Sequence, residues 1–321
     1  MTDKILPDSA MMSEEKNRIL FSKINSEEGA VTTPRDYLCI ALNLSGCILQ
    51  VAAGYLPQLG VGRRIGATPY TVKAQPAGAA FGIWGLIFPL CIIYGIYQAL
   101  PRQHNNPLLR RVGLFSAVAF YETIQWSLIA ILAAPADGDI RGNLVYEWIL
   151  SFTLFFGVAA PLNYMLYNLL QNHDNNGSRD VISHKEYFLV VLPLSIFAAW
   201  TTLASFVNIA GALLVSGVSN FDRTNGGQGG TVAYLCCVGV LIAMLIFTYK
   251  GLLPFACVAI WAYAWIAQVN FAFEYSQVGV TASVFTVLFA FVVIGSKLWW
   301  ARKETTSHTE TDMLQFTVAA Q

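Results

Sequence analysis

One stretch limits the possible folds more than any other feature of this sequence. It runs from Pro76 to Pro101, reads PAGAAFGIWGLIFPLCIIYGIYQALP, and has no Asp, Glu, Lys, Arg or His in its interior. About 20 consecutive apolar residues in an α-helix can cross the roughly 30 Å hydrocarbon core of a bilayer. A core helix of a soluble protein needs neither this length nor this absence of charge. The stretch therefore predicts a transmembrane helix.

The same stretch carries small residues at helical spacing. Gly78 and Gly82 form a small-xxx-small pair, and Gly85 follows one turn later. Small residues let the backbone of a second helix approach closely inside a membrane, where packing drives association. We expect this face to contact another helix of the chain or a second copy in a homodimer.

Composition extends the membrane prediction to the whole chain. Hydrophobic residues make up 55% of it and charged residues only 12%, about half the charged fraction of a soluble domain. The formal net charge is zero, so nothing suggests a nucleic-acid partner. The cysteines and histidines have no metal-binding or disulfide spacing, and we expect neither a metal site nor a cofactor.

Eight apolar runs are long enough to cross a bilayer, which makes the lipid bilayer the first expected partner. The predicted fold class is an all-α integral membrane protein, a polytopic bundle of about eight transmembrane helices. The runs are 37–57, 77–100, 111–134, 144–170, 187–216, 231–249, 252–272 and 278–299. The sixth and seventh are separated by only Lys250 and Gly251, which predicts a tight helical hairpin.

The distribution of positive charge predicts the orientation. Of the Lys and Arg residues, 14 fall in the two tails and the connections on the same side, and 5 fall in the others. Since positive charge marks the cytoplasmic side, both termini are predicted in the cytosol. The organisation we expect is a polar tail 1–36, a five-span portion 37–217, a Gly-rich loop 218–230, three further spans in 231–300 and a polar tail 301–321.

One carboxyl group falls near the centre of a predicted span. Glu122 lies in FYETIQWS, and Gln125 and Trp126 follow on the same helical face. An intramembrane acid is costly and often functional, so Glu122 either contacts a ligand or handles a proton. The alternative is a neutral carboxyl hydrogen-bonded to a neighbouring helix. Glu147 and Glu274 lie near the ends of their runs, where we expect an interfacial position.

Several tryptophans fall in mid-span instead of at the membrane interface. If they converge, they form a flat apolar pocket suited to a planar ligand; if they do not, they are ordinary packing residues. We find no Walker-type loop, HExxH or GxSxG motif, and expect no enzymatic activity. The mid-span tryptophans are Trp84, Trp126, Trp200, Trp261 and Trp265.

These residues resemble those of the TspO/translocator family, the tryptophan-rich sensory proteins, in its longer form. The run from Pro76 is similar to the family's PAG…FSIWGLIY…YQ pattern, and Leu56-Pro57 matches the LP turn that ends its first span. Trp200, Ala204 and Asn208 reproduce a W-x3-A-x3-N spacing. The run LLPFACVAIWAYAWIA resembles a late span of the long members, while Gln125-Trp126 stands where the family has an asparagine–tryptophan pair.

The resemblance implies a TspO-like five-helix core in 37–217 with about three more helices. It also implies a central cavity for a porphyrin-like or sterol-like ligand, used in sensing, regulation or transport. We expect that ligand among the first five spans, in contact with Trp84, Phe88, Glu122, Gln125, Trp126, Trp200 and Asn208. The first alternative is a proton-coupled secondary transporter that uses Glu122, and the second is a receptor or scaffold whose tails recruit partners.

Overall fold

The fold was analysed in a computed structural model of the chain. The residues it describes are 33–62, 72–133, 140–171, 182–224 and 226–319. Residues 1–32, which make up most of the predicted N-terminal tail, lie outside this set, so that prediction stays a prediction.

Eight helices in the described part of the chain are long and apolar enough to cross a membrane, which confirms the predicted fold class. Short 3₁₀ and π segments are counted here with the α-helices that they continue. The eight are α1 Pro34–Leu59, α2 Gly78–Ala99, α3 Pro107–Leu132, α4 Asn143–Gln171, α5 His184–Val215, α6 Gly229–Thr248, α7 Leu253–Ala272 and α8 Ser276–Lys303.

The helix ends lie within four residues of the predicted ones, and two of them change the predicted tails. Helix α1 begins at Pro34 because Thr33 and Asp36 form a reciprocal capping box. Asp36 therefore belongs to the first helical turn and not to a tail. At the other end, the helix that contains α8 continues to Ala319, through most of the predicted polar tail 301–321.

Helix α5 is the centre of the bundle. Its apolar segment is 78% buried, the largest share among the eight spans, and it packs against α2, α4 and α7. Small residues such as Ala198, Ala199 and Gly211 are fully buried along it, so neighbouring helices approach on several sides. The contact between α5 and α7 joins the first five helices to the last three.

The last three helices form their own compact group. A turn with positive φ at Lys250 (54°) and Gly251 (68°) reverses the chain between α6 and α7, as the short connection predicted. The two helices pack mainly against α8 and only weakly against each other. Helix α8 thus lies between the arms of the hairpin.

Helix α4 widens into a π-helix at Thr153–Ala159. Gly157 lies in this segment and faces α3 so closely that a Cβ atom there would come within 2.8 Å of Glu122 Cγ and Oε2. π segments inside α-helices are often found at functional sites. Here it brings the backbone of α4 against the one carboxyl group of α3.

The glycine face of α2 packs against no described residue of the chain, contrary to the expectation of an internal helix contact. A Cβ atom at Gly78, Gly82 or Gly85 would meet no atom of the described residues within 4 Å. The physical reason is that Gly78–Ile83 is a 3₁₀ helix, whose three-residue turn does not align residues four apart. The homodimer stays a prediction.

Candidate functional site

A cavity of about 390 Å³ lies in one half of the bundle, away from Pro34. Its walls come from the second halves of α1, α3, α5 and α7 and from the first halves of α2, α4 and α6. Because consecutive spans run in opposite directions, these segments all lie at the same end of the molecule. The volume falls within the range of about 300–1,000 Å³ for small-molecule pockets.

Aromatic rings form much of the wall. Trp84, Phe88, Trp126 and Trp200 all line the cavity, so four of the seven predicted site residues meet there as aromatic surface. Trp84 lies against Phe88, with ring centroids 5.0 Å apart, and Trp200 meets the edge of Phe81 at 5.5 Å. These ring contacts fix the side chains of the wall before any ligand arrives.

Three N–H donors in the same wall are buried without a partner. They are Trp126 Nε1, Trp200 Nε1 and Asn208 Nδ2, none of which has a hydrogen bond among the described residues. Buried polar groups in folded proteins are nearly always paired, and an unpaired one costs about 1–3 kcal/mol. The three donors belong to residues that line one cavity.

Three tyrosines of the wall are different, because their hydroxyl groups are already hydrogen-bonded. Tyr234 donates to the carbonyl oxygen of Phe206 at 2.6 Å, Tyr263 to that of Leu235 at 3.0 Å, and Tyr146 to that of Ala130 at 3.0 Å. These three hydroxyl groups link neighbouring helices. Among the described residues of the wall, the buried donors without a partner are those of Trp126, Trp200 and Asn208.

Glu147 lies in the cavity wall, and its side chain is only 4% exposed. It lies one turn after the start of α4 at Asn143, so its interfacial depth in the membrane stays a prediction. Leu150 and Leu154, one and two turns further on, line the cavity with it.

Glu122 and Gln125 are not among the residues that line the cavity. The cavity face of α3 is Thr123, Trp126, Ser127 and Ala130. At about 100° per residue, Glu122 points roughly a quarter turn away from this face, toward Gly157 of α4. Gln125 points further round and is exposed on the outside of the bundle.

The remaining mid-span tryptophans also lie elsewhere. Trp261 is 41% exposed and donates Nε1 to the carbonyl oxygen of Ala80 at 3.2 Å, and its ring meets Trp265 at 5.5 Å. Of the five mid-span tryptophans, only Trp84, Trp126 and Trp200 line the cavity. Trp200 and Asn208, the first and last residues of the W-x3-A-x3-N spacing, carry two of the three unpaired donors.

Comparison with known protein families decides the relationship of the chain. The model of the family described as TSPO-like protein matches residues 40–295. The chain belongs to the TSPO-like protein family. Neither the search of curated proteins nor the search of solved structures gave a match. The TSPO-like match includes α6 and α7, which supply Tyr234, Val238, Tyr263 and Ile266 to the cavity, so the site is not confined to the first five spans as expected.

Residues 72–77, here called the cap segment, contribute to the wall of the TSPO-like cavity. Val72, Ala74, Gln75 and Pro76 line the cavity. Lys73 points the other way and is fully buried, donating Nζ to the carbonyl oxygens of Asn220 at 3.1 Å and Gly227 at 2.5 Å. The cap segment between α1 and α2 is thus fastened to the loop between α5 and α6.

Other bonds reinforce this fastening. Lys73 N donates to the carbonyl oxygen of Phe221 at 2.9 Å, Arg223 Nη2 donates to that of Gln75 at 2.8 Å, and Asn270 Nδ2 of α7 donates to that of Lys73 at 2.8 Å. Burial lowers the pKa of Lys73, and the nearby Asp222 carboxylate opposes that shift. Hydropathy could not have indicated the cap segment, because it depends on contacts between residues about 150 positions apart.

Proposed function

We propose that this TSPO-like membrane protein binds a small, flat, largely apolar ligand, porphyrin-like or sterol-like, for sensing, regulation or transport. The observation that supports it most is the set of three unpaired N–H donors in an aromatic-walled cavity. We propose binding and not catalysis, since the cavity wall holds no recognisable nucleophile–base pair.

The donors restrict the chemistry of the ligand. Trp126, Trp200 and Asn208 can only be satisfied by an acceptor such as a carbonyl, a hydroxyl oxygen or a carboxylate. The apolar part of the ligand would lie on the rings of Trp84 and Phe88. Affinity comes from burying that apolar surface, and orientation comes from the three N–H groups.

The test is a titration of the full-length protein in nanodiscs with protoporphyrin, followed by tryptophan quenching and by porphyrin absorbance. Trp200→Phe keeps an aromatic ring but removes the N–H donor. Loss of one hydrogen bond of about 1–1.5 kcal/mol should weaken binding roughly tenfold. Trp299→Phe is the matched control, because Trp299 is 59% exposed and lies outside the cavity wall.

Competition with cholesterol then distinguishes the two ligand types at the same site. The proposal fails if quenching does not saturate, or if Trp299→Phe weakens binding as much as Trp200→Phe. Saturable binding that only Trp200→Phe reduces would support it.

A second candidate function is proton-coupled transport of a small molecule. It is favoured by Glu147, a buried carboxyl group in the cavity wall, whereas Glu122 as first expected would act through α4 and not through the cavity. Uptake into proteoliposomes under a pH gradient should then be lost in Glu147→Gln and kept in Glu122→Gln. Unchanged uptake in Glu147→Gln would remove this candidate.

We also infer that both termini lie in the cytosol, from the excess of Lys and Arg on that side. The cavity and its cap segment would then lie in the half of the bundle away from the cytosol. Protease digestion of both tails in sealed, right-side-out vesicles would contradict this orientation.

A further inference from the structure

A second cleft, of about 340 Å³, lies at the opposite end of the bundle from the cavity. It lies where the start of α1, the end of α2 and the start of α3 meet. Its character is different, since most of its lining residues are polar or charged. The lining residues include Arg35, Asp36, Gln98, His104 and Arg110.

The charges in the cleft leave a net positive balance. Asp36 Oδ2 accepts hydrogen bonds from Thr33 N and Thr33 Oγ1, both at 2.8 Å, and from Arg110 Nη2 at 3.2 Å. Its charge is therefore used within the helix cap and one ion pair. Arg35 has no hydrogen bond or ion pair to any described residue, so its guanidinium is available to an anion.

A buried amide supplies an uncharged donor to the same cleft. Gln98 is 5% exposed, and its Oε1 accepts from Tyr94 Oη at 3.2 Å. Its Nε2 is buried with no partner among the described residues. Tyr94 is itself held by Ser116 Oγ at 2.9 Å, and Ser116 by Asn43 Oδ1 at 2.6 Å. This network fixes the amide, so its free donor is already positioned.

A break in helix α3 forms part of the wall. Gly113 has φ 48° and ψ −130°, a conformation open to glycine but not to most residues. Residues 114–132 therefore start a new helical segment at the cleft. The N-terminal end of a helix carries a partial positive charge and favours bound anions.

We propose that this cleft binds a phosphate group, supplied either by a soluble phosphate compound or by the headgroup of an anionic lipid. Arg35 and the remaining donors of Arg110 would hold the charged oxygens. Gln98 Nε2 would donate to the same group from the buried side, and the helical segment that starts after Gly113 would add its dipole. His104, whose ring packs on Tyr37 at 5.5 Å, closes one side.

The experiment measures thermal unfolding of the full-length protein in nanodiscs of phosphatidylcholine. One arm adds inorganic phosphate, with chloride at equal ionic strength as its reference. The other arm replaces part of the phosphatidylcholine with phosphatidylglycerol and adds no phosphate. Arg35→Gln and Gln98→Leu each remove one donor of the cleft. Arg35 is exposed, so its replacement does not disturb the core.

Arg102→Gln is the matched control. Arg102 is an exposed arginine in the neighbouring turn Pro101–Gln103 and does not line the cleft. We expect phosphate or phosphatidylglycerol to stabilise the wild-type protein. The affinity should be roughly tenfold weaker for Arg35→Gln and unchanged for Arg102→Gln.

The two arms identify the source. A saturable effect of inorganic phosphate assigns a soluble phosphate compound, and an effect of phosphatidylglycerol alone assigns a lipid headgroup. The proposal is overturned if neither arm stabilises the protein, or if Arg102→Gln loses as much as Arg35→Gln. The cavity donors take no part in either arm, so failure here leaves the proposed function unaffected.

Discussion

Asn163 and Asn208 are both amides inside the bundle, but their surroundings differ. Asn163 Nδ2 donates to Thr202 Oγ1 at 2.7 Å, and its Oδ1 accepts from Tyr249 Oη at 2.8 Å. It joins α4, α5 and the α6–α7 turn, as expected for an amide that links helices. Asn208 lines the cavity, and its Nδ2 has no partner among the described residues.

This difference predicts opposite effects of the same substitution. Asn208→Leu removes an unpaired buried donor and should raise the free energy of unfolding of the ligand-free protein by about 1 kcal/mol or more, while it weakens ligand binding. Asn163→Leu should lower the free energy of unfolding by about 1–3 kcal/mol, because Thr202 and Tyr249 lose a partner. Denaturant unfolding in detergent measures both. A destabilised Asn208→Leu would mean that this amide has a structural partner.

At the scale of helices, the contact between α3 and α4 depends on the absence of a side chain at Gly157. Gly157→Ala would place a methyl group 2.8 Å from Glu122, and should destabilise the protein by about 1–3 kcal/mol through overpacking. Gly295→Ala is the control, since a Cβ atom there meets nothing within 4 Å and alanine favours a helix. Adding Glu122→Ala to Gly157→Ala should restore much of the loss. Thermal unfolding of the four proteins would show it, and equal effects of both alanines would contradict it.

The helices themselves could be predicted from the sequence because membrane insertion depends on the summed hydropathy of each run, which is local information. Side-chain directions could not be predicted as well. Glu122 and Trp126 are only one turn apart, yet one faces α4 and the other the cavity, since the cavity occupies a narrow sector of α3. The position of Glu147 in the cavity wall could not be predicted from hydropathy, which does not give the direction of a side chain. The spacing of Glu147 with Leu150 and Leu154 was the available signal.

At the scale of the whole molecule, the cap segment connects parts that lie far apart in the sequence. It bonds to the α5–α6 loop through Lys73 and to α7 through Asn270. The family match over residues 40–295 includes all these partners. Contacts of the first five helices with the last three thus hold the cap segment, part of the cavity wall, in place.

The buried charge of Lys73 makes the folding stability of the protein dependent on pH. Because burial lowers the pKa of Lys73 in the folded protein, the unfolded chain binds more protons between that lowered pKa and the ordinary value of 10.5. Folding stability must therefore rise with pH across this interval. Below it, the full cost of the buried charge is present.

The comparison of wild type with Lys73→Met isolates this effect from other titrating groups. As pH rises toward 10.5, the free energy of unfolding of the wild type should increase relative to that of Lys73→Met, and then level off. Lys250→Met is the control, because Lys250 lies in the turn at the opposite end of the bundle and stacks on Trp300. Denaturant unfolding in detergent over this pH range measures the difference. If the difference instead falls with rising pH, the partners of Lys73, Asp222 among them, favour its charged form over the neutral one. Folding then raises the pKa of Lys73, and an ion pair holds the cap segment.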